Sequence, residues 1–272
     1  MHFCIDLEPF DMNATILSVQ LRKILLLTYV ALSGFTDIAL KAQTGEPSFQ
    51  FKVTGDLVSS YVWRGSLATA RATPNFQPAL AFMKEKFEIG VWGSTDFAGS
   101  YKEVDPYISL TTRYIKFGIT DYNWNFDQAD YFNYKNSETG HKIEGTIGFT
   151  GTGTFPVSVT WNTVLYGFDK IYDDSTKQAY STYVEVNYAK GPVCIFLGFT
   201  PWPGYYNNYG VTAFDSGADK KSFSIVNIGT SITKSLKINE TFSMPLEVTL
   251  IFNPSATYSR NDFVHLVFSL TF

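Results

Sequence analysis

The chain has 272 residues, 17% of them aromatic and 17% charged, with a net charge of −4 and a mean hydropathy of −0.03. That length allows one large β domain or two ordinary ones; the charged share lies below the usual value of about 25%, and a mean hydropathy near zero excludes a helical membrane protein. The acidic balance leaves no basic footprint for nucleic acid, and two cysteines, Cys4 and Cys194, supply neither a disulfide framework nor a thiolate metal site.

Arg22 and Lys23 precede an apolar run over residues 24–35, followed by Leu40-Lys41-Ala42-Gln43. A positive stretch, a short apolar run and a small residue before the cut are the parts of a secretory signal peptide. The run falls short of the roughly 20 apolar residues that a membrane-spanning helix needs. Cleavage is expected after Ala42, leaving residues 43–272 as one mature domain. Asp6, Glu8 and Asp11 are unusual in such a leader, which fits translation starting at Met12.

Twelve segments of alternating polarity follow, at 49–62, 75–83, 87–97, 104–114, 115–122, 141–149, 157–166, 178–188, 193–200, 223–233, 245–253 and 263–272. Most run about 9–11 residues, the length a tilted strand needs to cross a bilayer. Connections after even-numbered segments are short and those after odd-numbered ones tend to be longer; the stretch 234–244 fits this poorly. Short turns on one side and long loops on the other are the habit of an outer-membrane barrel with an even strand count. The expected fold is therefore all-β: an antiparallel transmembrane β-barrel of about twelve strands after a cleaved signal peptide.

Period-two alternation sorts each strand into two faces. Phe87, Ile89 and Val91 oppose Glu88, Gly90, Trp92, Ser94 and Asp96; Ile143, Ile147 and Phe149 oppose Lys142, Glu144 and Thr146; Leu246, Val248, Leu250 and Phe252 oppose Glu247, Thr249 and Asn253. A Lys or Arg facing lipid near the midplane costs about 2–4 kcal/mol, so the charges are expected in the lumen. The lumen-lining candidates are Lys52, Asp56, Glu88, Asp96, Asp105, Arg113, Lys142, Glu144, Glu185, Glu247 and His265. Alternation alone also suits a lipocalin-like barrel with its apolar face inward; strand number, loop sorting and the last segment favour the outward choice. Aromatic girdles are expected from Phe87, Tyr114, Tyr188 and Phe272 at one end and Tyr61, Trp63, Trp124 and Trp202 at the other. Arg64 beside Trp63 suits either a gating or ligand-binding cation at the outer rim or, with Trp63, an anchor of the first strand in the interface.

In the last segment Val264, Leu266, Phe268, Leu270 and Phe272 share one face, and the sequence stops on the aromatic residue. This is how the closing strand of such a barrel reads, and it predicts recognition by the barrel-assembly machinery.

Gly55-Asp56-Leu57-Val58-Ser59-Ser60-Tyr61-Val62-Trp63-Arg64-Gly65 resembles the opening signature of TorF-type porins, bacterial outer-membrane proteins also known as Gcw_chp proteins. Gly90-Val91-Trp92-Gly93-Ser94 with Asp96-Phe97, and Glu103-Val104-Asp105, resemble the following blocks. The stretches 178–185, 198–201 and 204–206 are similar to Bacteroidetes-like members. The resemblance spans about the whole mature chain. It implies the outer membrane of a Gram-negative bacterium and passive passage of solutes, and carries no catalytic residue. Pro106 departs from an uninterrupted strand four and is expected to disturb its upper end.

The charged lumen face allows two outcomes, a polar channel whose charges bias the solutes that pass, or a narrow barrel plugged by its own paired side chains. Loops 121–136 and 201–221, rich in aromatic, amide and acidic residues, suit a sugar-like ligand, and Asp121, Asp127 and Asp130 offer oxygens to calcium without EF-hand spacing. His141 lacks the neighbouring Ser of outer-membrane phospholipases, and no G-x-S-x-G, H-E-x-x-H or phosphate loop occurs, so no enzyme, cofactor or metal is expected. The function that follows is a porin-like barrel in outer-membrane lipid, passing small polar solutes. The alternative is a plugged, non-conducting barrel with a structural or ligand-binding role.

Overall fold

A computed structural model describes residues 49–124, 131–135, 138–171, 174–202, 204–208, 223–240, 242–256 and 263–272. The expected leader, residues 1–42, lies outside the described residues. Twelve strands form a closed antiparallel barrel: β1 (Gln50–Val58), β2 (Asn75–Lys84), β3 (Phe87–Asp96), β4 (Lys102–Thr111), β5 (Ile115–Tyr122), β6 (Lys142–Phe149), β7 (Val157–Gly167), β8 (Thr182–Lys190), β9 (Val193–Thr200), β10 (Ser224–Lys237), β11 (Ser243–Phe252) and β12 (Val264–Thr271). Each strand pairs with its sequence neighbours, and β12 returns to β1. That seam is short: Asp56↔Thr271, Leu57↔Leu270 and Val58↔Ser269, extended by reciprocal Gly55–Phe272 backbone hydrogen bonds of 2.9 and 3.0 Å.

The register fixes which side chains face inward. Starting from Asp56↔Gln77 and passing through Asn75↔Asp96, Trp92↔Asp105, Tyr107↔Thr120 and Tyr122↔Lys142, the inner row is mostly polar or aromatic. It continues through Thr146↔Asn162, Glu185↔Thr160, Cys194↔Ser231, Thr233↔Glu247 and Ile251↔His265. The outer row is Val, Leu, Ile and Phe, and much of it is exposed: Val53, Phe82, Ile89, Ile119, Ile147, Ile195, Ile232 and Leu266 are each about half accessible. The buried side chains, by contrast, are mostly polar or charged, including Glu103, Asp105, Lys142 and Glu144. This is the reverse of a water-soluble barrel, whose interior would hold the aliphatic side chains.

Inner-face glycines make room for large inner-face rings. A Cβ on Gly90 would lie 2.6 Å from its cross-strand partner Tyr107, and one on Gly229 would lie 2.2 Å from the ring of its partner Phe196. Each glycine thus lets an aromatic side chain lie flat across the ladder.

Several boundaries differ from the sequence expectation. β1 ends at Val58 rather than 62, because the chain turns into the barrel at that point. β10 runs on to Lys237, which leaves a tight connection of residues 238–242 closed by Ile238 N–H to Phe242 O (2.9 Å) and brings the poorly fitting fifth connection into line. Pro106 does not end β4, which pairs continuously with β3 through Val91↔Pro106. The β4–β5 ladder instead lapses beyond Tyr107↔Thr120 and resumes as an isolated Glu103–Trp124 bridge. Pro78 does the same on the β2–β3 side, where pairing skips from Phe76↔Thr95 to Ala79↔Trp92. A residue without an N–H is tolerated where the ladder is already open.

The two faces predict opposite responses to one substitution. Val248→Arg, facing outward, should lower unfolding stability in lipid vesicles by about 2–4 kcal/mol. Thr249→Arg, inward beside Glu247, should cost about 1 kcal/mol or less; denaturant titration of refolded protein compares them, and equal costs would contradict the assignment of faces.

Candidate functional site

At the long-loop end, residues 59–69 fold into the barrel instead of away from it. Val62–Trp63 and Ser66–Leu67 pair as a hairpin, Val62↔Leu67 and Trp63↔Ser66, with Arg64 and Gly65 at its tip. Both tip residues have positive φ, 51° and 85°, the signature of a two-residue type I′ turn. Gly65 is required on a second ground: a Cβ there would lie 2.0 Å from the carbonyl oxygen of Val226. Arg64 is unusual in this position, since a left-handed backbone costs a residue with a Cβ about 1–2 kcal/mol.

What holds Arg64 there lies on the far wall. Its Nη1 and Nη2 donate to Glu144 Oε2 and Oε1, both at 2.7 Å, in a bidentate pair. The Tyr206 hydroxyl takes a further hydrogen bond from Arg64 and donates to Glu144 Oε2 at 2.8 Å, while Tyr122 donates to Glu144 Oε1 at 3.2 Å. Three rings surround the guanidinium, with centroids 4.5 Å (Trp63), 4.6 Å (Tyr183) and 4.8 Å (Tyr206) away. Arg64 leaves from between β1 and β2, Glu144 stands on β6, Tyr183 on β8, and Tyr206 on a 3₁₀ turn (Tyr205–Asn208) between β9 and β10. The cluster therefore bridges the mouth. Asn253 Nδ2 holds the hairpin from another side through Ser66 Oγ at 3.1 Å.

Two further layers adjoin it. Lys142, two residues before Glu144 on the same inner face, is 1% exposed, and its Nζ has no hydrogen-bond partner among the described residues. The ammonium rests 4.4 Å from the centroid of the Trp124 ring and 3.0 Å from that of Tyr205, an arrangement that cation–π attraction favours. Beside β3 and β4, Tyr61 packs on Trp92 (5.6 Å) and Tyr101 (5.9 Å), Tyr101 donates to Glu103 at 2.8 Å, and Asp105 accepts the Asn123 backbone N–H at 3.1 Å.

Burial works against the Arg64 charge, yet Glu144 together with Tyr206 and Tyr122 outweighs it and holds the guanidinium above its usual range. The Tyr206 phenol is likewise held above its usual range, chiefly by burial. On the loop after β5, burial and then Asp121 push the Tyr134 phenol up. Asp121 accepts Tyr134 Oη at 2.8 Å and faces His141 Nδ1 at 2.8 Å, and the Tyr134 and His141 rings stack at 4.1 Å. These contacts tie Tyr134 and His141 to the rim and occupy the one described acid of the suggested calcium set; Asp127 and Asp130 lie outside the described residues.

Of the sequence-predicted lumen residues, Lys52, Asp56, Glu88, Asp96, Asp105, Lys142, Glu144, Glu185, Glu247 and His265 occupy inner register positions. Arg113 does not. It lies in the turn after β4, exposed, with its guanidinium 5.0 Å from the Tyr114 ring centroid, because the strand stops at Thr111. Asp96 is occupied in capping the 97–101 connection, accepting Ser100 N–H at 2.7 Å and Tyr101 N–H at 2.9 Å. Nearer the short-turn end, Glu88 accepts Tyr107 Oη (2.6 Å), Asp56 accepts Thr271 Oγ1 (2.5 Å), Glu185 accepts Asn187 Nδ2 (3.2 Å) and Glu247 accepts Thr233 Oγ1 (3.1 Å).

The rim assignment needs the larger correction. Tyr61, Trp63, Arg64 and Trp124 do not form an outer girdle; they fill the mouth from within, because the hairpin folds toward the polar interior where Glu144 neutralises its charge. Trp202 alone of that set lies outward, 5.7 Å from Trp161, with its indole N–H donating to Tyr180 O at 3.0 Å. Val264, Leu266, Phe268 and Phe272 are exposed on the outer face with Leu270 in the same register, and Phe272 stacks on Phe76 at 6.1 Å. The cross-lumen pairing of Arg64 with Glu144 has no local sequence signal beyond Trp63-Arg64-Gly65 itself, since the partners are 80 residues apart.

Arg64→Ala and Glu144→Gln should each destabilise the hairpin, and the double variant should cost much less than their sum, with a coupling energy on the order of 1–3 kcal/mol. Hydrogen exchange over residues 59–74 reads the effect; additive changes would mean that the two side chains act separately. A scan against protein-family models finds no match to this chain, and a search of curated proteins finds none either.

Proposed function

We propose that the chain is an outer-membrane β-barrel of a Gram-negative bacterium that lets small polar solutes pass, with a mouth narrowed by its own folded-in hairpin. The observation that carries this is the inverted distribution of polarity: aliphatic and aromatic side chains circle the outside of a closed twelve-stranded barrel, while hydrogen-bonding side chains line the inside. An envelope of that kind suits lipid, and a lumen lined by Glu88, Glu185, Glu247, Lys52 and several Thr and Ser residues suits water and hydrophilic solutes. The outward aromatic residues Phe87, Tyr114, Tyr188 and Phe272 at the short-turn end fit an interfacial belt, as do Phe97, Phe168, Trp202 and Phe223 at the other. The resemblance of residues 55–65 to TorF-type porins supports the same assignment, and the outward face of β12 is what the barrel-assembly machinery would meet.

A second reading, a plugged barrel with a structural or binding role, is favoured by one specific feature: the Arg64–Glu144 pair and its rings bridge the mouth. Planar-bilayer recording separates the two. The passage reading expects current steps from folded wild-type protein, and their absence would leave the plugged barrel. Replacing Glu88, Glu185 and Glu247 together by Gln should shift the reversal potential toward lower cation preference; an unchanged potential would take those residues off the path.

A further inference from the structure

We propose that Glu144 and its surrounding rings form a recognition site for guanidinium-bearing cations, which Arg64 fills as a tethered occupant until a solute displaces it. The site has the parts such recognition needs. A carboxylate with 0% exposure offers both oxygens in one plane to a planar fork of N–H donors. The rings of Tyr183 and Tyr206, which do not belong to the hairpin, face the cation, with Trp63 covering a further side while the hairpin is in place, and Tyr122 and Tyr206 donate to the same carboxylate, fixing its orientation.

The occupant is mounted to leave. It sits on a two-residue turn with a left-handed backbone, a local cost that its ion pair and ring contacts offset. The hairpin pairs through Val62↔Leu67 and Trp63↔Ser66, with Ala68 N–H donating to Tyr61 O at 3.0 Å, and belongs to no barrel ladder, so its withdrawal would leave every wall strand paired. Lys142, two residues from Glu144 on the same face, is buried without a hydrogen-bond partner among the described residues and rests on the rings of Trp124 and Tyr205. With Arg64 gone, the Glu144 carboxylate would attract a positively charged solute. The guanidinium fork fits the carboxylate and the rings together, which a spherical ion or a neutral amide does not.

The solute-admitting meaning of this site rests on the passage reading above; the recognition itself does not, and the experiment keeps the two apart. Folded Arg64→Ala protein in detergent micelles, verified by its faster gel mobility before heating, is titrated with guanidinium chloride while tryptophan fluorescence is followed. Sodium chloride and urea serve as charge and shape controls, and Arg64→Gln replaces the alanine variant if that variant does not fold. The expected result is a saturable change for guanidinium alone, weakened at least about tenfold when Glu144→Gln is added. A change equal with sodium or urea, or one untouched by Glu144→Gln, would overturn the proposal. In wild-type protein, free arginine should raise hydrogen exchange over residues 62–67 above the level seen with equal lysine; no difference would overturn the displacement step. Saturable binding without current steps would sink only the passage reading.

Discussion

A surface as apolar as this one leaves the backbone N–H and C=O groups of each strand a single kind of partner, the neighbouring strand, and that constraint organises the molecule. Any open edge facing an apolar surrounding would carry a row of unmet hydrogen bonds costing several kcal/mol each. The chain meets it by closing β12 onto β1. Everything else follows from the closed ring: alternate side chains must point out or in, and the polar ones have only the interior left to them. The prolines show how strict the rule is, since Pro78 and Pro106 sit beside the few places where a ladder is interrupted.

The interior then faces its own difficulty. A polar inner row brings charged groups into a confined space, where an unpaired charge is costly and a paired one is tolerated only with good geometry. The short-turn half meets this with carboxylates bonded to hydroxyls and amides on the same or an adjacent strand. The long-loop half meets it by importing material: a hairpin from one wall delivers Arg64 to Glu144 on the other, and loop aromatics pack around both. Arg64 tolerates a left-handed backbone because a bidentate, ring-enclosed ion pair outweighs a local cost of about 1–2 kcal/mol. Local strain, long-range pairing and closure of the mouth are one feature seen at three scales.

Lys142 is held differently. Among the described residues its ammonium has no hydrogen-bond partner and ends on the rings of Trp124 and Tyr205, while Arg64 holds the carboxylate two residues further along the same strand.

The period of two in the sequence determined the strand number, most strand positions and the inner or outer side of nearly every charge, because those depend only on neighbours along one strand and on the geometry of a pleat. It also showed Trp92 on the polar side of β3, where the ring of Tyr61 now meets it. Tertiary structure alone decided where the loops go. Trp63 and Trp124 look from sequence like members of an interfacial belt, since aromatic residues near strand ends commonly are. Their inward turn depends on a carboxylate 80 residues from Arg64 along the chain and on a hairpin just two residue pairs long. No periodicity records contacts across a lumen, and so the wall of this protein was legible in its sequence while the closure of its mouth was not.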